Sequence, residues 1–170
     1  MADGRDMAWW ERLQERLAQT RFGGWFAVTI ANPIDRRLLK ATNGRVGLYL
    51  GQPVGLLGTA GAKSGQPRET PLLYLDDGPR VILVASNAGN ARHPSWYHNV
   101  RATPAVSFLR RGGGQGEYVA RIAEGPEREE LWRRVNHLYS GYDTYQGRTG
   151  GREIPVVVLD PAESAPAQVD

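Results

Sequence analysis

From Val54 onward the chain is a succession of short apolar segments, each closed by glycine, proline or acidic residues, and this punctuation constrains the fold more than any other feature. Val54–Thr59, Thr70–Leu75, Arg80–Ser86, Ala105–Arg110, Glu117–Ala123 and Ile154–Leu159 have the length and the β-branched content of strands. Asp76-Asp77-Gly78-Pro79 joins the second to the third, and Gly112-Gly113-Gly114 joins the fourth to the fifth, so both pairs predict β-hairpins. Adjacent antiparallel pairs with helices set at their ends and corners predict an α+β protein of about six mostly antiparallel strands with peripheral helices. Rolling such a sheet into a small, partly closed barrel removes its exposed edges.

Helical spacing lies outside the paired strands. Met7, Trp10, Leu13 and Leu17 recur at three- and four-residue steps over residues 6–18, and a second helix follows Asn32-Pro33 and ends near Asn43-Gly44. Pro94 to Ala102 predicts a short helix begun by a proline at its first position and closed before Pro104. Gly125-Pro126-Glu127 opens a further helix, with acid in its first turn and Leu131, Val135 and Leu138 along one face. Residues 1–45 are thus expected as a helical segment packing on a barrel of residues 46–160, with residues 161–170 as a flexible tail.

A chain of 170 residues suits one domain with a real core, and the absence of cysteine excludes disulfide scaffolds, thiolate metal sites and cysteine nucleophiles. Neither a secretory signal nor an apolar run long enough to span a bilayer is present, so a cytoplasmic protein is expected. The net charge of +3 hides a segregation. Arg36, Arg37, Lys40, Arg45, Lys63 and Arg68 fall in one acid-free stretch, and Arg80, Arg92, Arg101, Arg110 and Arg111 in another. Such a distribution favours an anionic small molecule, a phosphate backbone or an acidic membrane face, unless folding disperses it over a solvated surface. Nucleic acid finds no supporting motif, because no helix-turn-helix, zinc module or aromatic RNA-binding pattern occurs.

Three clusters carry candidate chemistry. In Gly58 to Arg68, small residues admit a ligand close to backbone N–H groups, while Lys63, Ser64 and Arg68 add a point charge, a hydroxyl and a forked donor, the parts that recognise phosphate. It is not a nucleotide P-loop, since Ala62 and Leu57 stand where that motif has glycine. Ser86 to Asn99 leaves a strand through small polar residues and enters a helix, a favourable place for an anion. His93 and His98 in it are spaced wrongly for two ligands on one helical face, and Ser86 lacks the elbow of a hydrolase nucleophile. Tyr139, Tyr142 and Tyr145, spaced by three just beyond a helix, suit either a clasp for a flat, partly polar substrate or a simple cap on the barrel.

Several ordered segments together resemble the deazaflavin (F420)-dependent nitroreductase family of the split β-barrel superfamily: 61–68, 70–75, 84–89, 93–99 and 154–158. The resemblance implies a split β-barrel that binds coenzyme F420, with the phosphate at Lys63, Ser64, Gly65 and Arg68. It places the ring against Pro71, Leu72 and Ser86, Asn87, Ala88 and Gly89, with Trp96 and Asn99 lining the same groove. Tyr139, Tyr142, Tyr145 and Ser86 fall on the substrate side as catalytic candidates, and no metal is implied. Ala62 departs from the family's usual arginine and removes a forked phosphate donor unless Arg68 or Arg92 substitutes. The activity implied is hydride transfer from F420H2 to a quinone, a nitroaromatic or an activated enone. Rival readings are a non-catalytic F420 carrier and an FMN- or haem-binding barrel. The expected partners are a small-molecule acceptor, a second copy of the chain if it is not a monomer, and a weak peripheral contact with the inner face of the membrane.

Overall fold

The computed structural model describes residues 41–42 and 53–162. The two N-terminal helices expected above and the tail beyond Ala162 lie outside the described residues. The strands are β1 (Val54–Ala60), β2 (Pro67–Asp77), β3 (Arg80–Val84), β4 (Ala105–Arg110), β5 (Gly114–Ile122) and β6 (Val156–Pro161). Three α-helices accompany them within the described residues 53–162: α1 (Ser95–Ala102), α2 (Gly125–Leu138) and α3 (Gly141–Arg148). The strands close into a barrel in the order β1-β2-β3-β6-β5-β4, with every pair antiparallel.

Both expected hairpins form. β2 is longer than its apolar run because barrel closure pairs Pro67, Arg68 and Glu69 with Ala60, Thr59 and Gly58 of β1. Pro94 sits one residue before α1 in an extended conformation (φ −68°, ψ 153°) rather than inside its first turn. The third helix was not expected: Tyr142 and Tyr145 lie on α3, directly after Tyr139 ends α2.

Strand parity divides the apolar residues between two main cores. On β3 and β6, Val81, Leu83, Val157 and Leu159 face the barrel interior, where they meet Leu57, Phe108, Tyr118 and Ala120. Their neighbours Ile82, Val84, Val156 and Val158 point outward into a second core with Leu131 and Val135 of α2 and Tyr142 and Tyr145 of α3. Residues 81–84 of β3 and 156–159 of β6 are therefore apolar at every position, unlike β5, where Glu117, Val119 and Arg121 are exposed and alternate with buried Tyr118 and Ala120. Each fully buried side chain of this size contributes on the order of 1.5–3 kcal/mol by its removal from water.

One mouth of the barrel is plugged by α1, whose Trp96, Tyr97 and Val100 join the interior core. Gly55 lies under Phe108, and a Cβ there would come within 2.4 Å of the ring, so the ring packs directly on the β1 backbone. At the opposite end the Arg110 guanidinium bridges the two hairpins. It donates to the Tyr118 hydroxyl, an Asp76 carboxylate oxygen and the carbonyls of Gly78, Pro79 and Arg80.

Candidate active site at the α1 end of the barrel

Two loops flank α1 at the plugged mouth. The β1–β2 loop is a tight turn closed by Gly61 N–H donating to Gln66 O (2.9 Å) and Gly65 N–H to Gly61 O (2.7 Å), with Gly65 at φ +65°. Lys63, Ser64 and Gly65 are exposed on it, and Arg68 is exposed at the start of β2. Ser64 Oγ accepts from the Gln66 N–H at 3.3 Å. Lys63 and Arg68 have no carboxylate partner among the described residues, and a cation pair flanking a glycine turn is suited to a polyanion. The turn is fixed from behind by Asn99 of α1. Its Oδ1 accepts from the Ala62 N–H (2.9 Å) and its Nδ2 donates to Thr59 Oγ1 (3.1 Å). Asn99 is 8% exposed, so its amide serves the loop that any bound anion would touch.

The β3–α1 loop has an unusual backbone. Asn87, Ala88 and Gly89 all take positive φ (49°, 52° and 77°), and an alanine gains nothing there to offset the steric cost of its Cβ. Gly89 N–H donates to Ser86 O and Asn90 N–H to Asn87 O, which leaves the N–H groups of Asn87 and Ala88 without an acceptor among the described residues. The Ser86 hydroxyl likewise has no partner among them. His93 stacks on Tyr97 of α1 at 4.6 Å between ring centroids, joining this loop to the helix that braces the first.

The tyrosines form one cluster. Ring centroids are 5.2 Å apart for Tyr139 and Tyr142, 6.0 Å for Tyr139 and Tyr145, and 6.5 Å for Tyr142 and Tyr145. The hydroxyls of Tyr139 and Tyr145 are hydrogen-bonded at 3.1 Å. Tyr142 and Tyr145 are buried in the outer core and Tyr139 is half-buried. Burial drives the Tyr142 phenol far above its ordinary pKa, with the nearby Tyr145 acting in the same direction, so it stays protonated. The cluster meets the β3–α1 loop at Gly89, where an added Cβ would come within 3.0 Å of the Tyr145 carbonyl oxygen and 3.1 Å of the Arg148 Cβ. Glycine is thus required there both for its backbone angle and for close approach.

The structure therefore joins Ser86–Gly89 to the tyrosines, and through α1 to the Lys63 turn. On β2, Pro71 is buried and Leu72 is half-buried against the interior core. Trp96 is 5% exposed and belongs to the plug. Sequence reasoning missed Arg152, which follows two glycines at positive φ (Gly150 and Gly151) and reaches back to the β3–α1 loop. Nothing in its local sequence marks it. The second acid-free stretch also changes meaning on folding, because Arg80 and Arg110 pair with Asp77, Glu127 and Asp76, acids from outside that stretch.

Residues 34–161 match the family model described as F420H(2)-dependent quinone reductase. An F420H2-dependent quinone reductase of Mycobacterium tuberculosis H37Rv is 41% identical over 128 residues, covering 72% of this chain and 84% of that one. A solved structure described as a domain-swapped dimer superposes with a TM-score of 0.61 at 34% identity, covering 75% of this chain and 96% of that one. A solved F420-H2 dependent reductase, FDR-A, gives 0.55 at 38% identity, covering 64% and 94% of the two chains. With the family model matched over 34–161 and a relative 41% identical over 128 residues, on a barrel shared with solved relatives, this chain belongs to the F420H2-dependent quinone reductase family.

Proposed function

We propose that the two loops flanking α1 bind F420H2 and that the tyrosine cluster faces the acceptor. The protein is an F420H2-dependent oxidoreductase of the quinone reductase family, with coenzyme F420 as its redox partner and a quinone-type small molecule as acceptor. When bound, the reduced deazaflavin supplies the hydride. The donor set fits such a group. Lys63 and Arg68 offer charge for a phosphate, Ser64 offers a hydroxyl on the turn that Gly65 shapes, and the N–H groups of Asn87 and Ala88, without an acceptor among the described residues, suit a polar ring edge. Ala62 gives no side-chain donor to the phosphate, and its N–H is already held by Asn99. The cationic demand therefore falls on Lys63 and Arg68.

In this reading Pro71, Leu72 and the Ser86–Gly89 turn support the flat ring, Trp96 supports it from within the plug, and Asn99 fixes the phosphate turn. Tyr139, Tyr142, Tyr145 and Ser86 hold the acceptor. The Tyr142 hydroxyl, kept protonated by burial, and its neighbouring hydroxyls can donate to a quinone oxygen as it gains charge, which lowers the barrier without a covalent nucleophile. The observation that carries the reading is the pair of exposed cations, Lys63 and Arg68, without a carboxylate partner among the described residues, beside a glycine turn braced from behind. Anaerobic oxidation of F420H2 by a water-soluble quinone tests it. Acceleration by the protein, lost on omitting either reactant, is expected. Binding of F420 without acceleration would identify a carrier, and tighter binding of FMN or haem would identify another cofactor.

The domain-swapped relative supports a homodimer here, which light scattering at assay concentration tests. No helix among the described residues is long and apolar enough to cross a membrane. Because long-chain quinones reside in lipid, we extend the reading to a cytoplasmic enzyme with a weak peripheral membrane contact, tested by co-sedimentation with anionic vesicles.

A further inference from the structure

Arg152 makes more directed contacts with one loop than any single residue of the expected site. Its Nε and Nη2 both donate to the Asn90 carbonyl (3.2 and 2.8 Å), Nη2 donates to the Ser86 carbonyl (2.9 Å), and Nη1 donates to the Ala85 carbonyl (3.2 Å). Nη1 also lies 3.2 Å from His93 Nδ1, and because a guanidinium has no acceptor, that ring nitrogen must be the acceptor. The arginine is itself anchored. Its carbonyl accepts from Gln146 Nε2 (2.8 Å) and Thr149 Oγ1 (2.6 Å), and Gln146 Oε1 accepts from the Ile154 N–H (2.8 Å). Thr149 is 1% exposed, so this anchor is part of the packed end of α3.

The four acceptors span Ala85 to His93 and enclose the three left-handed residues Asn87, Ala88 and Gly89. A turn containing alanine at φ +52° persists only where its surroundings over-determine it, and a planar fork satisfying several carbonyls at once does that better than a point charge. We propose that Arg152 is a positioning residue, holding the Ser86–Gly89 turn in the shape on which the deazaflavin ring rests. The inference depends on the cofactor reading above for the ring, but not for the hold on the turn.

The test uses Arg152→Lys, which keeps the charge and loses the fork, and Arg152→Gln, with Lys63→Ala as a control for the phosphate turn. F420 affinity is read by tryptophan quenching, and backbone order by amide hydrogen exchange. Both Arg152 variants are expected to raise the F420 Kd and the F420H2 KM at least ten-fold, while kcat at saturating F420H2 stays within three-fold. Exchange at Gly89 and Asn90 should speed up at least ten-fold, with Gly61 and Gly65 unchanged. Lys63→Ala should raise the Kd and leave Gly89 and Asn90 at parental rates. Folded Arg152 variants with parental exchange at Gly89 and Asn90, or with a Kd within two-fold of the parent, overturn the proposal. If the parent itself fails to bind F420, the cofactor reading falls while the exchange data still judge the hold. Should neither variant fold, the parent decides: Gly89 and Asn90 amides protected at least ten-fold more than Gly113, in the exposed β4–β5 turn, support the hold, and equal protection overturns it.

Discussion

The two ends of the barrel use their basic residues in different ways. At the hairpin end and along the flank under α2, Arg80, Arg110, Arg121 and Arg134 each meet a carboxylate, with Asp77 shared by Arg80 and Arg134, and Glu127 by Arg80 and Arg121. At the α1 end, Lys63, Arg68 and Arg92 have no such partner among the described residues. One end uses its cations to join strands to a helix, and at the other, in the proposed reading, Lys63 and Arg68 are kept for a ligand. Position along the chain does not tell these uses apart; the acids that the topology brings alongside do.

Substitutions at the two ends should therefore separate stability from binding. Asp77→Ala leaves two arginines facing a lost carboxylate whose side chain is only 16% exposed, and should cost about 2–3 kcal/mol in a urea melt while F420 affinity stays unchanged. Asn99→Ala removes the brace of the Lys63 turn and strands the Ala62 N–H. It should cost roughly 1–2 kcal/mol of stability and weaken F420 binding as well, the one site where both readouts move. Lys63→Ala should raise the F420 Kd about ten-fold, equivalent to about 1.4 kcal/mol, with an unchanged melt. Its effect should shrink as salt screens the exposed charge. A Lys63→Ala protein that binds F420 like the parent would remove the contrast between the ends.

The smallest effect is a pH slope. Desolvation, then the charges of Arg152, His98 and Arg101, holds the His93 pKa below its usual 6.5. The unfolded chain then binds more protons than the folded one between that lowered value and 6.5, so stability is full above pH 6.5 and falls as the pH drops through this window. His93→Gln should flatten that slope. Asp77 and Glu127, whose pKa values are lowered by hydrogen bonds to Arg134 and Arg80 and to Arg121 respectively against the opposing pull of desolvation, lose their contribution only further into acid.

Much of this architecture was legible beforehand. The six strands, both hairpins and helices α1 and α2 followed from apolar runs and their punctuation, because hairpin turns and amphipathic spacing are local signals. α3 was not, since glycine at both Gly141 and Gly147, with Asp143 and Thr144 between, carries the composition of a loop. Packing of Tyr142 and Tyr145 against the outer core makes it a helix. The Lys63 turn was visible as a motif, but the role of Asn99 behind it was not, since its partners Thr59 and Ala62 lie 40 and 37 residues away. Arg152 and the left-handed Ala88 were invisible for a related reason: one acts on a loop more than sixty residues earlier, and the other adopts a conformation its side chain disfavours.

The alternation on β3 and β6 has an evolutionary corollary. Ile82 and Leu83 are chain neighbours that report to different packing environments, one shared with the helices and tyrosines and the other sealed inside the cylinder. Because their side chains share no packing partner, a substitution at Ile82 repacks the layer that holds the tyrosines while the barrel's inner layer keeps its contacts, and in the proposed reading that outer layer is free to drift toward new acceptors.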